Sequence, residues 1–312
     1  MTIVIGLAPG ERGDAAARLG TMLAAAGGEE LLLVVVTPVP WPSTGPVDDE
    51  FRAAQDRITR QSLDRARSII QDRVPATYHV ESARSVATGL LQAAQRHRAS
   101  MVVLGSSARG MTGLVSLGGV AERILHSSDI PICFAPSGYG RTPTPRLTRV
   151  TVGFGRADHD SGLLSAAAAR ADVMHLRLRV ACFAVRPPIA QAGSIEPSAE
   201  DLVVGEWADQ VQADINQSIR SAGHDPARVE TVIGAGATWA GAITGVPWDA
   251  GDLLVIGAST SAVSRFFLGS HASKIVRNSP VPVLIVARTR ATTAGRAASA
   301  TARPAPTATQ PT

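Results

Sequence analysis

The sequence predicts an α/β protein built from two tandem units, each a parallel sheet with helices on both faces. Apolar runs of strand length alternate with helical patterns along nearly the whole chain, which is the signature of a parallel sheet. The alternation occurs twice, roughly 150 residues apart. Residues 101–136 read MVVLGSSARGMTGLVSLGGVAERILHSSDIPICFAP, and residues 253–287 repeat that frame as LLVIGASTSAVSRFFLGSHASKIVRNSPVPVLIVA. A length of 312 residues accommodates two such domains.

The first copy opens with an alternating β-branched strand at 2–7 and an alanine-rich helix at 14–26. An apolar strand at 31–37 follows, then a Pro-rich loop at 38–46. A mixed-charge helix over 48–73 places Phe51, Ala54, Ile58, Ala66 and Ile69 near one face, expected to meet the core. A short strand at 77–81, a helix at 87–97, a strand at 101–104, a helix at 118–127 and a strand at 132–135 complete it. The second copy repeats the order, with strands at 149–154, 176–185, 228–233, 253–256 and 281–286. Its helices are expected at 161–171, around Trp207, Val211, Ile215 and Ile219, at 239–244 and at 272–277. Trp207, Trp239 and Trp248 are expected to pack its core. The domains are therefore drawn at 1–136 and 147–288, joined by a Gly/Pro/Thr linker at 137–146, with a disordered Ala/Thr/Pro tail at 289–312.

Composition excludes several classes. No run approaches a membrane span, and MTIVIGLAPGERG lacks the basic region of a secretory signal, so a cytoplasmic protein is expected. Arg288 and the tail's Arg290, Arg296 and Arg303 account for the whole net charge of +4, leaving the rest neutral and without the basic, aromatic-studded stripe of a nucleic-acid binder. Cys133 and Cys182 share no metal or redox spacing and read as buried free thiols. The seven histidines form no metal pattern; His159 between Asp158 and Asp160 reads as a helix cap. No GxSxG elbow is present, so no catalytic residue is assigned.

The candidate site lies in the repeated loops. In each copy an apolar strand ends at a glycine (Gly105, Gly257), and a polar loop returns to a second glycine (Gly118, Gly269) at a helix start. Unpaired N–H groups at such a helix N-terminus lie at the positive end of the dipole and attract anions. The residues that follow, Gly119 and Val120 in one copy and Ser270 and His271 in the other, complete the candidate cofactor-binding set. The first loop has the glycine spacing of a P-loop, but Met111 stands where lysine is required, and neither first strand is followed by G-x-G-x-x-G.

On these loops, and on the closing strands Ile130-Pro131-Ile132 and Val281-Pro282-Val283, the chain resembles the universal stress protein family in a tandem two-domain form. The resemblance implies Rossmann-like units with five-stranded parallel sheets in the flavodoxin-like order 3-2-1-4-5, paired through their last strands. It also implies ATP as cofactor and a non-enzymatic stress-response role exerted through a ligand or an unknown protein partner. Several residues depart from the ATP-binding pattern. Ala108 and Thr260 replace the second glycine, Gly119 replaces a Ser/Thr, and Ala8 and Gly155 replace the adenine-contacting aspartate. A lost hydrogen bond to a charged group costs about 1.5–3 kcal/mol, roughly tenfold to a hundredfold in affinity. Both sites are thus expected to be degenerate, the second less so because Ser270 survives. Arg109 and Arg265 are the loop cations available to a phosphate. A slowly ATP-hydrolysing switch, an interaction module with empty sites, and association of two chains into a homodimer stay open.

Overall fold

The computed structural model describes residues 1–39, 46–107, 111–141, 146–155, 162–185, 197–258 and 268–287. The first copy runs β1 (Thr2–Gly6), α1 (Glu11–Gly27), β2 (Glu30–Pro38), α2 (Pro46–Ile70), β3 (Ala76–Ala83), α3 (Val86–Arg96), β4 (Ala99–Gly105), α4 (Gly119–Ser127) and β5 (Ile132–Ala135). The second runs β6 (Arg149–Phe154), α5 (Leu163–Val173), β7 (Arg177–Val185), α6 (Pro197–Ser221), β8 (Glu230–Gly236), α7 (Trp239–Thr244), β9 (Asp252–Ala258), α8 (Ser270–Arg277) and β10 (Val283–Ala287).

All ten strands join one sheet, in the order β3-β2-β1-β4-β5-β10-β9-β6-β7-β8. Each half carries the 3-2-1-4-5 order with parallel pairing throughout. The halves meet where β5 and β10 pair antiparallel, Leu284 opposite Cys133. Alternation along the strands feeds two apolar layers. Ile3 and Ile5 of β1 join α1, α2, α5 and α6 on one face, while Val4 joins α3, α4 and α8 on the other. Each layer takes residues from both copies, so the core is continuous across the seam.

Two expectations about packing need correction. In α2, Ala66 and Ile70 are buried with Ser62, but Phe51 and Ile58 are exposed. The first half of the helix overhangs the carboxyl ends of the strands instead of covering the sheet. Trp207 and Trp248 pack against the core, whereas Trp239 lies against His271, with ring centroids 5.0 Å apart, and Lys274. Part of the expected linker is itself packed: Tyr139 lies on the apolar layer and donates to Met22 Sδ at 3.5 Å. The tail at 289–312 lies outside the described residues. No described helix is long and apolar enough to cross a membrane.

Candidate functional site

The order β3-β2-β1-β4-β5 reverses direction between β1 and β4, and a crevice opens beyond the carboxyl ends of the strands at such a switch point. Here it is a cavity of about 390 Å³. Its floor is Gly6, where a Cβ would meet Leu104 and Leu90 at 2.7 and 2.8 Å. On the β4 side it is lined by Gly105, Ser106, Ser107 and the start of α4, Gly118 to Ala121; on the β2 side by Val34 to Thr37 and by Gln55, Ile58, Thr59 and Ser62 of α2. Val86 and Leu90 of α3 form the remaining wall, and Ala8, Pro9 and Arg12 the rim above β1.

Its two ends differ in chemistry. Gly118 caps α4 without a side-chain hydrogen bond, so the first amides of the helix are not satisfied by a cap. The α1 N-cap, Gly10, is likewise without a side-chain bond, and Arg12 stands in its first turn. The start of α4 therefore lies at one end of the cavity, with Arg12 on the rim beside it. The loop feeding α4 is pinned by Ser106, which is buried, donates to Ala135 O at 2.7 Å and accepts from Ser116 N–H at 3.0 Å. The other end is apolar. Ile58 and Val86, exposed by 44% and 43%, line that end, while Val120, exposed by 41%, lines the cavity at the start of α4, which gives all three a common reason to face solvent. The inward face of α2 is set by Arg65, which pairs both Asp14 oxygens on α1, Nε to Oδ1 at 3.1 Å.

Gly105, Gly118, Gly119 and Val120 thus lie on one cavity. Their glycines differ in cause. A Cβ at Gly105 would stand 2.1 Å from Arg12 O, so that glycine lets α1 approach β4. A Cβ at Gly119 meets nothing within 4 Å, and the backbone there is ordinary helix.

Gly257 ends β9, and Gly269, Ser270 and His271 start α8 in the corresponding place of the second copy. Thr238 caps α7 as Ser85 caps α3, each accepting from the N–H three residues on. That match puts Trp239 where Val86 stands and His271 where Val120 stands. The valines flank open space, while Trp239 and His271 contact each other. Ala108, Arg109, Thr260, Arg265 and the Asp158-His159-Asp160 trio lie outside the described residues. No group of acids, histidines or cysteines able to hold a metal occurs among the described residues.

A model of the universal stress protein family matches residues 1–136 and 147–287. The chain belongs to the universal stress protein family. It is 32% identical to universal stress proteins of Mycobacterium tuberculosis and Mycobacterium bovis over 292 residues, 92% of this chain and 99% of each relative. The crystal structure of a universal stress protein from Archaeoglobus fulgidus has the same fold, with a TM-score of 0.57 and 16% identity over 92% of this chain and 98% of that one.

The sequence missed α2 as a wall of the cavity. The signal was present in Phe51, Gln55, Ile58 and Ser62 at helical spacing, but periodicity does not distinguish a core from a ligand-sized gap.

Proposed function

We propose that the first copy binds an adenine nucleotide and that the protein is a non-enzymatic stress-response protein acting through that ligand or through a partner. The observation that carries this reading is the polarity of the cavity: the uncapped start of α4 and Arg12 at one end, and Ile58 and Val86 at the other. Helix amides and a guanidinium suit phosphate, and an apolar slot suits the faces of a base. Ala8 supplies no carboxylate, so affinity is expected to be modest. The described lining contains hydroxyls but no histidine, cysteine or carboxylate, which supports binding over catalysis because nothing in it serves as a general base.

In the second copy Trp239 and His271, in contact with each other, take up the positions that flank the open cavity in the first, which supports the first copy as the nucleotide-binding half. Bound ligand would act by favouring the arrangement it fits best.

Thermal unfolding with and without millimolar ATP tests this, since a ligand of the native state raises its stability. The midpoint is expected to rise for the natural chain. In Gly119→Val, the unliganded midpoint is expected to stay within about 1–2 °C, because the new side chain enters open space, and the ATP response is expected to disappear. An unmoved midpoint in the natural chain favours an interaction module with empty sites.

A further inference from the structure

We propose that Gln55 and Thr59 of α2 read the base edge of the nucleotide, and that this amide and hydroxyl pair accepts adenine and guanine nucleotides with similar affinity. The inference rests on the nucleotide reading above and adds the residues that select the base.

The cavity fixes the direction of its ligand. Phosphate belongs at the start of α4, beside Arg12, so the base extends across β1 toward β2 and α2. That end is walled by Val34, Val35, Val36 and Ile58, with three polar side chains of α2 among them: Gln55, Thr59 and Ser62. Ser62 donates to Ile58 O at 2.9 Å and is already engaged. Gln55 and Thr59 are half-buried, line the cavity and have no hydrogen-bond partner among the described residues. A polar group facing an apolar recess without a partner is where a ligand's own polar edge gains most.

The chemistry of the reader sets what it accepts. An amide presents an acceptor beside a donor. Facing adenine, Gln55 Oε1 accepts from the exocyclic amine while Nε2 donates to a ring nitrogen. Turned over about its last torsion, the same amide donates to guanine O6 and accepts from N1–H. Thr59 Oγ1 both donates and accepts, so it follows either base. Ala8, on the rim above β1, has no polar side chain and imposes no further choice. Ile58 and Val86 press on base faces, and those faces are much alike for the two purines.

Calorimetric titration of the full-length chain with ATP, GTP and inorganic tripolyphosphate tests the proposal. The natural chain is expected to bind ATP and GTP within about tenfold of each other. Gln55→Leu, close in shape, is expected to weaken both nucleotides by about fivefold to tenfold and to leave tripolyphosphate unchanged, because the phosphate end is untouched. Gln55→Ala gives the same pattern should the leucine variant aggregate. If ATP binds and both variants bind it as tightly as the natural chain, the base-reading role is wrong while the nucleotide reading stands. A preference for ATP over GTP beyond about a hundredfold overturns the shared-purine claim. If neither nucleotide binds the natural chain, both this proposal and the nucleotide reading fall.

Discussion

Gly105 and Gly119 line the same cavity and are glycine for different reasons. At Gly105 a methyl group would be driven into the Arg12 carbonyl, so Gly105→Ala is expected to destabilise the protein by about 1–3 kcal/mol, read from urea unfolding. Gly119→Ala goes the other way, neutral or stabilising by up to about 1 kcal/mol, because nothing opposes the added carbon and helix propensity favours it. The spacing of the glycines was legible in the sequence; the cause of each was not, since the Arg12 carbonyl comes from a residue 93 positions away in the chain, across the sheet. The same holds at the opposite end of the second copy. Arg179 and Asp252 are fully buried and pair at 3.1 Å, and Arg149 meets Asp252 at 2.7 Å. Arg149, Arg179 and Asp252 come from β6, β7 and β9, far apart in sequence, and no motif announced them. Removing the fully buried acid of this cluster leaves Arg149 and Arg179 only the more exposed Glu230 and Asp249 as acidic partners, so Asp252→Asn is expected to cost about 3–5 kcal/mol by the same urea measurement.

At the scale of elements, the order and type of strands and helices were readable because each copy repeats a strong alternation of periods. The face of α2 was not. Its apolar stripe over Phe51 and Ile58 has helical spacing, yet only the later turns, at Ala66 and Ile70, reach the core. The packing of α3 against the edge strand β3 offers a pH test. The Arg96 guanidinium, hydrogen-bonded to Glu81, holds that carboxyl below its ordinary range, opposed by partial burial and helped by His79. A depressed carboxylate stabilises the fold above its unfolded pKa, and that contribution is lost as pH falls through the folded value. Arg96 is half exposed, so solvent screening keeps the effect small. Glu81→Gln is therefore expected to be less stable than the natural chain by under about 1 kcal/mol at pH 7. The two curves should converge in acid below the carboxylate range.

For the whole molecule, the duplication was legible in the repeated loops and closing strands, and pairing through the last strands followed from the family resemblance and is met by β5 and β10. What the pattern does not reveal is that both apolar layers run through the seam and join the halves into one core. Cys133 sits in that seam opposite Leu284, and burial pushes its thiol up to about 12. Alkylation of Cys133 at pH 8 is expected to be as slow as global unfolding, since no local fraying exposes a central strand; rapid labelling in the native protein would show that the halves part on their own. On the proposed nucleotide reading, the difference between the copies predicts one ligand per chain, because one copy frames its cavity with valines and the other brings Trp239 and His271 into contact. Isothermal titration of the full-length chain with ATP measures that count directly. One saturable site per chain, lost in Gly119→Val and kept in Gly269→Val, is the predicted result; two equivalent sites, or a site lost only in Gly269→Val, would contradict it.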